Sequence, residues 1–152
     1  MALGPAALRR TIAGELGELE TVRVEIEALL HARNVDRRAH YAVELVLEEL
    51  GTNVLRHGYG PDRTGPLTIE VQVHPDRIEF ALEDEAPTFD PRTAPAPDRP
   101  QSLEAAQVGG LGLSMVASMT SRLEHDRLDG GNRVRATIPR TATNDASTEN
   151  DR

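Results

Sequence analysis

Three short stretches hold residues whose types and spacing can do chemistry. Glu49, Asn53 and His57 stand at i, i+4 and i+8, so on a helix they project together. A carboxylate and an amide oxygen one turn apart suit Mg2+, which prefers hard oxygen ligands and keeps several waters. Val108-Gly109-Gly110-Leu111-Gly112-Leu113-Ser114 sets glycines at the start of a helical pattern. Bare backbone N–H groups and the helix dipole attract an anion at such a place. It is not the dinucleotide fingerprint, because no strand directly precedes it and Met115 stands where a third glycine is required. Asp84 closes an alternating segment ahead of Glu85-Ala86-Pro87. A carboxylate there either initiates a turn or accepts a hydrogen bond from an exocyclic amine such as that of adenine.

Each stretch also has a plainer reading. Asn53 shares a stripe with Val46, Leu50, Val54 and His57. An unpaired amide beside that seam would cost about 1–3 kcal/mol, so Asn53 either bonds a backbone group or serves a ligand. Glu48 points about 100° away from Glu49 on a helix, so the two are no close carboxylate pair. Glu48 and Glu44 are expected on a solvated face. His31, His40, His74 and His125 lack ligand spacing and read as ordinary surface or core residues.

The elements that must position these residues are legible from periodicity. Leu8 to Ile12 reads as a short strand. From Glu15 to about Ala32, the residues Leu16, Leu19, Val22, Ile26, Leu29 and Leu30 form one face of an amphipathic helix. Asn34-Val35-Asp36 breaks it, and Asp36 is the expected N-cap of a second helix running to about His57 and ending at Gly58. Leu67 to Val73 and Arg77 to Asp84 alternate as a hairpin around His74-Pro75-Asp76. The proline-bearing stretch 86–108 is expected to be a long loop, and a helix is expected from Gly110–Gly112 through about Arg122. Leu123 to Leu128 and Arg133 to Ile138 make a last hairpin around Asp129-Gly130-Gly131. Adjacent hairpins with helices predict an α/β fold: a two-layer sandwich whose mixed, mainly antiparallel sheet is covered on one face by helices. One domain is expected over residues 8–139, followed by a disordered tail over 140–152.

Composition removes several classes of chemistry. The chain of 152 residues has no Cys, which excludes thiol nucleophiles, disulfides and Cys-ligated zinc. It has no Lys either: all 17 basic residues are Arg, so a phosphate-loop lysine and Schiff-base chemistry are both excluded. A formal charge of −8 with only Tyr41, Tyr59, Phe80 and Phe89 as aromatics argues against nucleic-acid binding. No stretch reads as a membrane span or a secretion signal, so the expected location is the cytoplasm.

Taken in order, the three stretches resemble the GHKL superfamily, the ATPase domain shared by gyrase, histidine kinases and MutL-type proteins. The chain is more closely similar to the anti-sigma-factor serine/threonine kinases of bacterial partner-switching systems, over roughly Leu8 to Pro139. Glu48-Glu49-Leu50-Gly51-Thr52-Asn53-Val54-Leu55-Arg56-His57-Gly58-Tyr59 matches the family's Asn-bearing box. Asp84 to Pro91 resembles its first glycine box, and Gly109 to Val116 its second. The resemblance implies the histidine-kinase-like ATPase fold, with ATP and Mg2+ as ligands. It makes Asn53 the Mg2+ residue, Glu49 the general base and Asp84 the reader of the adenine amine. Gly110 and Gly112 would line the triphosphate, with Leu111, Leu113, Ser114, His57 and Asn132 also counted as nucleotide-binding.

The implied partners are a small anti-anti-sigma protein of STAS type and a sigma factor, and similar kinases dimerise. The chain departs from the family at Ala86 and Thr88, where glycines are usual, and at Asn132, where Thr is common. No basic residue precedes Gly109, and the nearest arginines are Arg99 and Arg92. Two functions stay open on this reading: a protein kinase, or a nucleotide-gated binding module without catalysis.

Overall fold

The computed structural model describes residues 6–59, 63–87 and 112–141. In chain order these form β1 (Ala6–Ile12), α1 (Leu16–Ala32), α2 (Arg37–Asn53), a π-helical turn (Val54–Gly58), β2 (Leu67–Val73), β3 (Arg77–Asp84), α3 (residues 112–119), β4 (Arg122–Leu128) and β5 (Gly131–Pro139). The strands make one sheet of five in the order β1-β2-β3-β5-β4. Every ladder is antiparallel, so the sheet is not mixed as expected. The crossover through α3 does make β4 run the same way as β3, but β5 returns between them and separates the two parallel strands.

Local chemistry explains where the helices start and stop. The Glu18 carboxylate reaches back to accept from the Glu15 N–H at 2.9 Å and the Gly14 N–H at 3.2 Å, which satisfies orphan donors ahead of α1. Asn34 takes the left-handed backbone conformation, φ 53°, that ends that helix. Asp36 caps α2 by accepting from the Ala39 N–H at 3.1 Å. The expected α-helix to His57 stops being α-helical at Asn53: in the turn that follows, the Tyr59 N–H bonds the Val54 carbonyl five residues back, at 3.3 Å. α3 ends at residue 119, short of the expected Arg122, because Arg122 already begins β4.

The helices cover one face of the sheet. Ile26 and Leu30 of α1, Val43 and Val46 of α2, and Val116 of α3 are fully buried with Ile69, Val71, Phe80, Leu82 and Ile138 of the strands. Each such side chain contributes about 1.5–3 kcal/mol on burial, so this seam dominates stability. The opposite face carries cross-strand ion pairs, among them Arg9–Glu70 at 2.9 Å, Arg135–Asp126 at 2.9 Å and Arg133–Glu83. Such solvent-facing pairs contribute about 0–1 kcal/mol each and serve mainly solubility. Glu44 is half-buried and sits 3.2 Å from Arg23 of α1 and 3.6 Å from His40, so it ties the two helices together and is not simply solvated.

Ordered contacts continue beyond Pro139. Arg140 is buried and donates to the carbonyls of His74 at 3.2 Å and Arg33 at 3.1 Å. The Thr141 N–H donates to Asp36 at 2.9 Å, which joins the end of β5 to the α1–α2 turn. Residues 142–152, most of the expected tail, lie outside the described residues. Truncating Arg140 to Ala leaves the part-buried carbonyls of His74, Arg33 and Asn34 without their charged donor. We expect a loss of roughly 2–3 kcal/mol, read as a lower urea midpoint with an unchanged slope.

Candidate functional site

α2 is both a core element and the carrier of the first candidate residues. Ala42, Val43, Val46, Leu47 and Leu50 face inward, which turns Glu49 and Asn53 to its half-buried edge and leaves Glu48 exposed. Burial pushes the Glu49 carboxyl above its ordinary pKa, the neighbouring Glu48 charge pushes it further, and Arg56 opposes both. Its carboxylate lies directly against Gly112, so close that a Cβ on that glycine would overlap it. A Cβ there would push the carboxylate aside, and the contact brings the candidate base to the start of the described part of α3. His57 is exposed and not on the buried stripe, because the π-helical turn replaces the α-helical spacing after Asn53.

The second cluster sits at the end of β3. Asp84 is 7% exposed, and its Oδ1 accepts from the Ala86 N–H at 2.8 Å and from Asn132 Nδ2 at 2.9 Å. Among the described residues both of these hydrogen bonds go to Oδ1 and none reaches Oδ2, which keeps its acceptor capacity. Burial pushes the Asp84 carboxyl up, while Asn132, the Ala86 N–H, Arg127 and His125 pull it back. Asn132 is 1% exposed and donates through Nδ2 also to the carbonyls of Ala86 at 3.0 Å and Pro87 at 3.1 Å. It lies behind the carboxylate as its support. His125 is half-buried, and its Nε2 is 3.1 Å from Asn132 Oδ1.

Tyr59 joins the two clusters, a role that the sequence reading missed. Its hydroxyl donates to the Pro66 carbonyl at 2.5 Å and accepts from the Glu85 N–H at 2.8 Å, so the end of the Asn-bearing segment holds the strand end that presents Asp84. The ring lies on Gly65, where a Cβ would overlap it. Its signal in the sequence is a tyrosine just after a helix-ending Gly58. An aromatic with a polar tip usually finds a partner when buried.

Of the second glycine box, Gly112 and Val116 are buried, Leu113 is half-buried against the core, and Ser114 is exposed. Gly110 and Leu111 lie outside the described residues, as do Thr88, Arg92 and Arg99. Among the described residues no three His, Asp or Glu converge to hold a metal, so nothing there forms a resident metal cage. None of their helices is long and apolar enough to cross a membrane.

The model of the histidine kinase-like ATPase domain matches residues 12–138. The chain belongs to this family. Among relatives, it is 25% identical over 100 residues to the serine/threonine-protein kinase BtrW of Bordetella bronchiseptica, covering 66% of this chain and 70% of that one. It is 27% identical over 112 residues to the serine-protein kinase RsbW of Bacillus licheniformis, covering 60% and 70%. Two solved structures share the fold. One is from the SiaB-SiaC complex of Pseudomonas aeruginosa, with TM-score 0.65 and 19% identity over 86% of this chain and 88% of that one. The other holds the RsbU and RsbW domains of a Mycobacterium tuberculosis protein, with TM-score 0.62 and 17% identity over 90% and 33%.

Within this family fold, the phenol of Tyr59 is the strut between the two candidate clusters. Tyr59→Phe keeps the packed ring and strands the Glu85 N–H. We expect a stability loss of about 1–3 kcal/mol by urea titration, and faster amide exchange at Glu85 than in the unaltered protein.

Proposed function

We propose that this chain is an ATP-dependent serine/threonine protein kinase that acts in the cytoplasm on a small STAS-type anti-anti-sigma protein and also sequesters a sigma factor. The observation that carries the reading is the Glu49 carboxylate, half-buried one turn before Asn53 and seated against Gly112. The names of the curated relatives, all of them serine or serine/threonine protein kinases, support the same class.

In this reading Asp84 Oδ2 accepts from the adenine amine, and Gly110 to Gly112, with Leu111, Leu113 and Ser114, line the phosphates. Asn53 would hold Mg2+, which when bound would supply positive charge to the phosphates. Asn132 acts on the base through Asp84, and exposed His57 acts at most at the rim of the site. Glu49 takes the proton from the incoming serine or threonine hydroxyl as its oxygen bonds the terminal phosphorus. The bond from that phosphorus to ADP breaks, and ADP carries away the electron pair. Phosphoryl transfer asks mainly for positioning and charge neutralisation, which suits a site without lysine. Burial favours Glu49 as base, since a carboxyl raised from its usual range holds a transferred proton better near neutrality.

A second reading, a nucleotide-gated binding module without transfer, is favoured by Ala105-Ala106-Gln107-Val108, which offers no cation ahead of Gly109. Incubation with labelled Mg-ATP and the STAS-type partner separates the two. We expect label on the partner, about 100-fold slower or worse for Glu49→Ala, with nucleotide affinity retained. Partner and nucleotide binding without transfer overturns the kinase reading, and partner switching that survives Glu49→Ala supports the module.

The pH profile gives an independent check. The base must be deprotonated, so transfer rises with pH through the Glu49 pKa, above the usual value of about 4.3. Glu48→Gln removes a charge that raises this pKa and moves the acid limb to lower pH; Arg56→Met moves it to higher pH. Initial rates of label transfer against pH measure both shifts.

A further inference from the structure

Three residues form a row across three neighbouring strands at the end of the sheet. The register sets Asp84 of β3 opposite Asn132 of β5, and Asn132 opposite Arg127 of β4. Side chains directly opposite on antiparallel strands share a face, so the three meet by construction. Asn132 Nδ2 donates to Asp84 Oδ1 at 2.9 Å and to two carbonyls, which only the nitrogen end of the amide can do. Its Oδ1 faces donors: Arg127 Nη1 at 3.3 Å and His125 Nε2 at 3.1 Å. That oxygen only accepts, so His125 carries its proton on Nε2 when it makes this bond. Arg127 Nη1 also donates to the Ala86 carbonyl at 3.0 Å, just beyond Asp84.

The amide is thereby held one way round. Reversed, it would point its oxygen at Asp84 Oδ1 and at two carbonyls, and its nitrogen at a guanidinium. The amide of Asn132 therefore gives Asp84 Oδ1 a donor, which favours the ionised, accepting form of the carboxyl over the protonated one. A carboxyl that only accepts pairs with a 6-amino group and repels a 6-oxo group. A protonated carboxyl donates and takes the 6-oxo group instead.

We propose that Arg127 and His125 are positioning residues for base selection: through Asn132 they hold the Asp84 carboxyl as an acceptor only, so that the site takes a 6-aminopurine and rejects a 6-oxopurine. This rests on the nucleotide-binding reading above. Burial alone pushes the Asp84 carboxyl toward its protonated form, and Arg127 and His125 both act against that. The row needs no contact between β4 and the nucleotide.

The test uses the full chain with Mg-ATP and Mg-ITP, which differ at the purine 6-position, and reads both affinities by calorimetry. We expect the unaltered protein to prefer ATP. Arg127→Met, at an exposed residue of β4, should lower the ATP/ITP affinity ratio about tenfold or more. Arg127→Lys should restore part of the ratio. Asn132→Ser, which keeps a small polar group in the row, should lower it as well, and ligand-free melting curves check that each variant is folded. A ratio unchanged in Arg127→Met and Asn132→Ser overturns the inference, even where both affinities fall together. An unaltered protein that binds ATP and ITP equally overturns it too. One that binds neither overturns the proposed function and this inference with it.

Discussion

The packing of α2 on the sheet is the constraint on which the rest of the molecule depends. Val43, Val46 and Leu50 are committed to the core, and that commitment fixes the rotation of the helix about its axis. Glu49 and Asn53 have no independent freedom to face elsewhere. The same burial that anchors the helix desolvates the Glu49 carboxyl and so prepares it to hold a proton. Structure and reactivity here come from one apolar seam.

Glu49 is half-buried and Asp84 is buried, and their neighbours act on the two carboxyls in opposite senses. Glu49 has the charge of Glu48 beside it, which adds to the effect of burial. Asp84 has hydrogen-bond donors and two basic side chains, which subtract from it. Burial raises both, and in the proposed function Glu49 takes up a proton while the donors around Asp84 favour its role as an acceptor. The distinction is made by neighbours and not by residue type, as both are simple carboxylic acids.

Much of this was legible in the sequence. The alternation of Leu67 to Val73 and of Arg77 to Asp84 marks both strands, and Asp36 announces a helix start by its side-chain chemistry alone. Those are local signals. His57 misled because its expected position assumed α-helical spacing, whereas the turn after Asn53 is shaped by where Tyr59 must reach. The roles of His125 and Arg127 depend on the β3–β5 and β4–β5 registers together. The second follows from a tight turn at Asp129-Gly130, but the first joins segments far apart in the chain, and no periodicity reports it. The inward alternation of Leu123, His125 and Arg127 was the available hint, since polar side chains on a core-facing side need partners.

The placement of β5 between β3 and β4 has a consequence for how the protein comes into being. The Asp84–Asn132 bond spans 48 residues, and the strand that supplies Asn132 is the last of the sheet to leave the ribosome. Until it arrives, β3 has an open edge and β4 has no neighbour to pair with. Closing that gap is a long-range event, slow relative to helix formation. The Asp84 end of the sheet is therefore finished last. A nascent chain carries its Asn-bearing helix well before the buried Asp84 carboxylate gains its Asn132 partner.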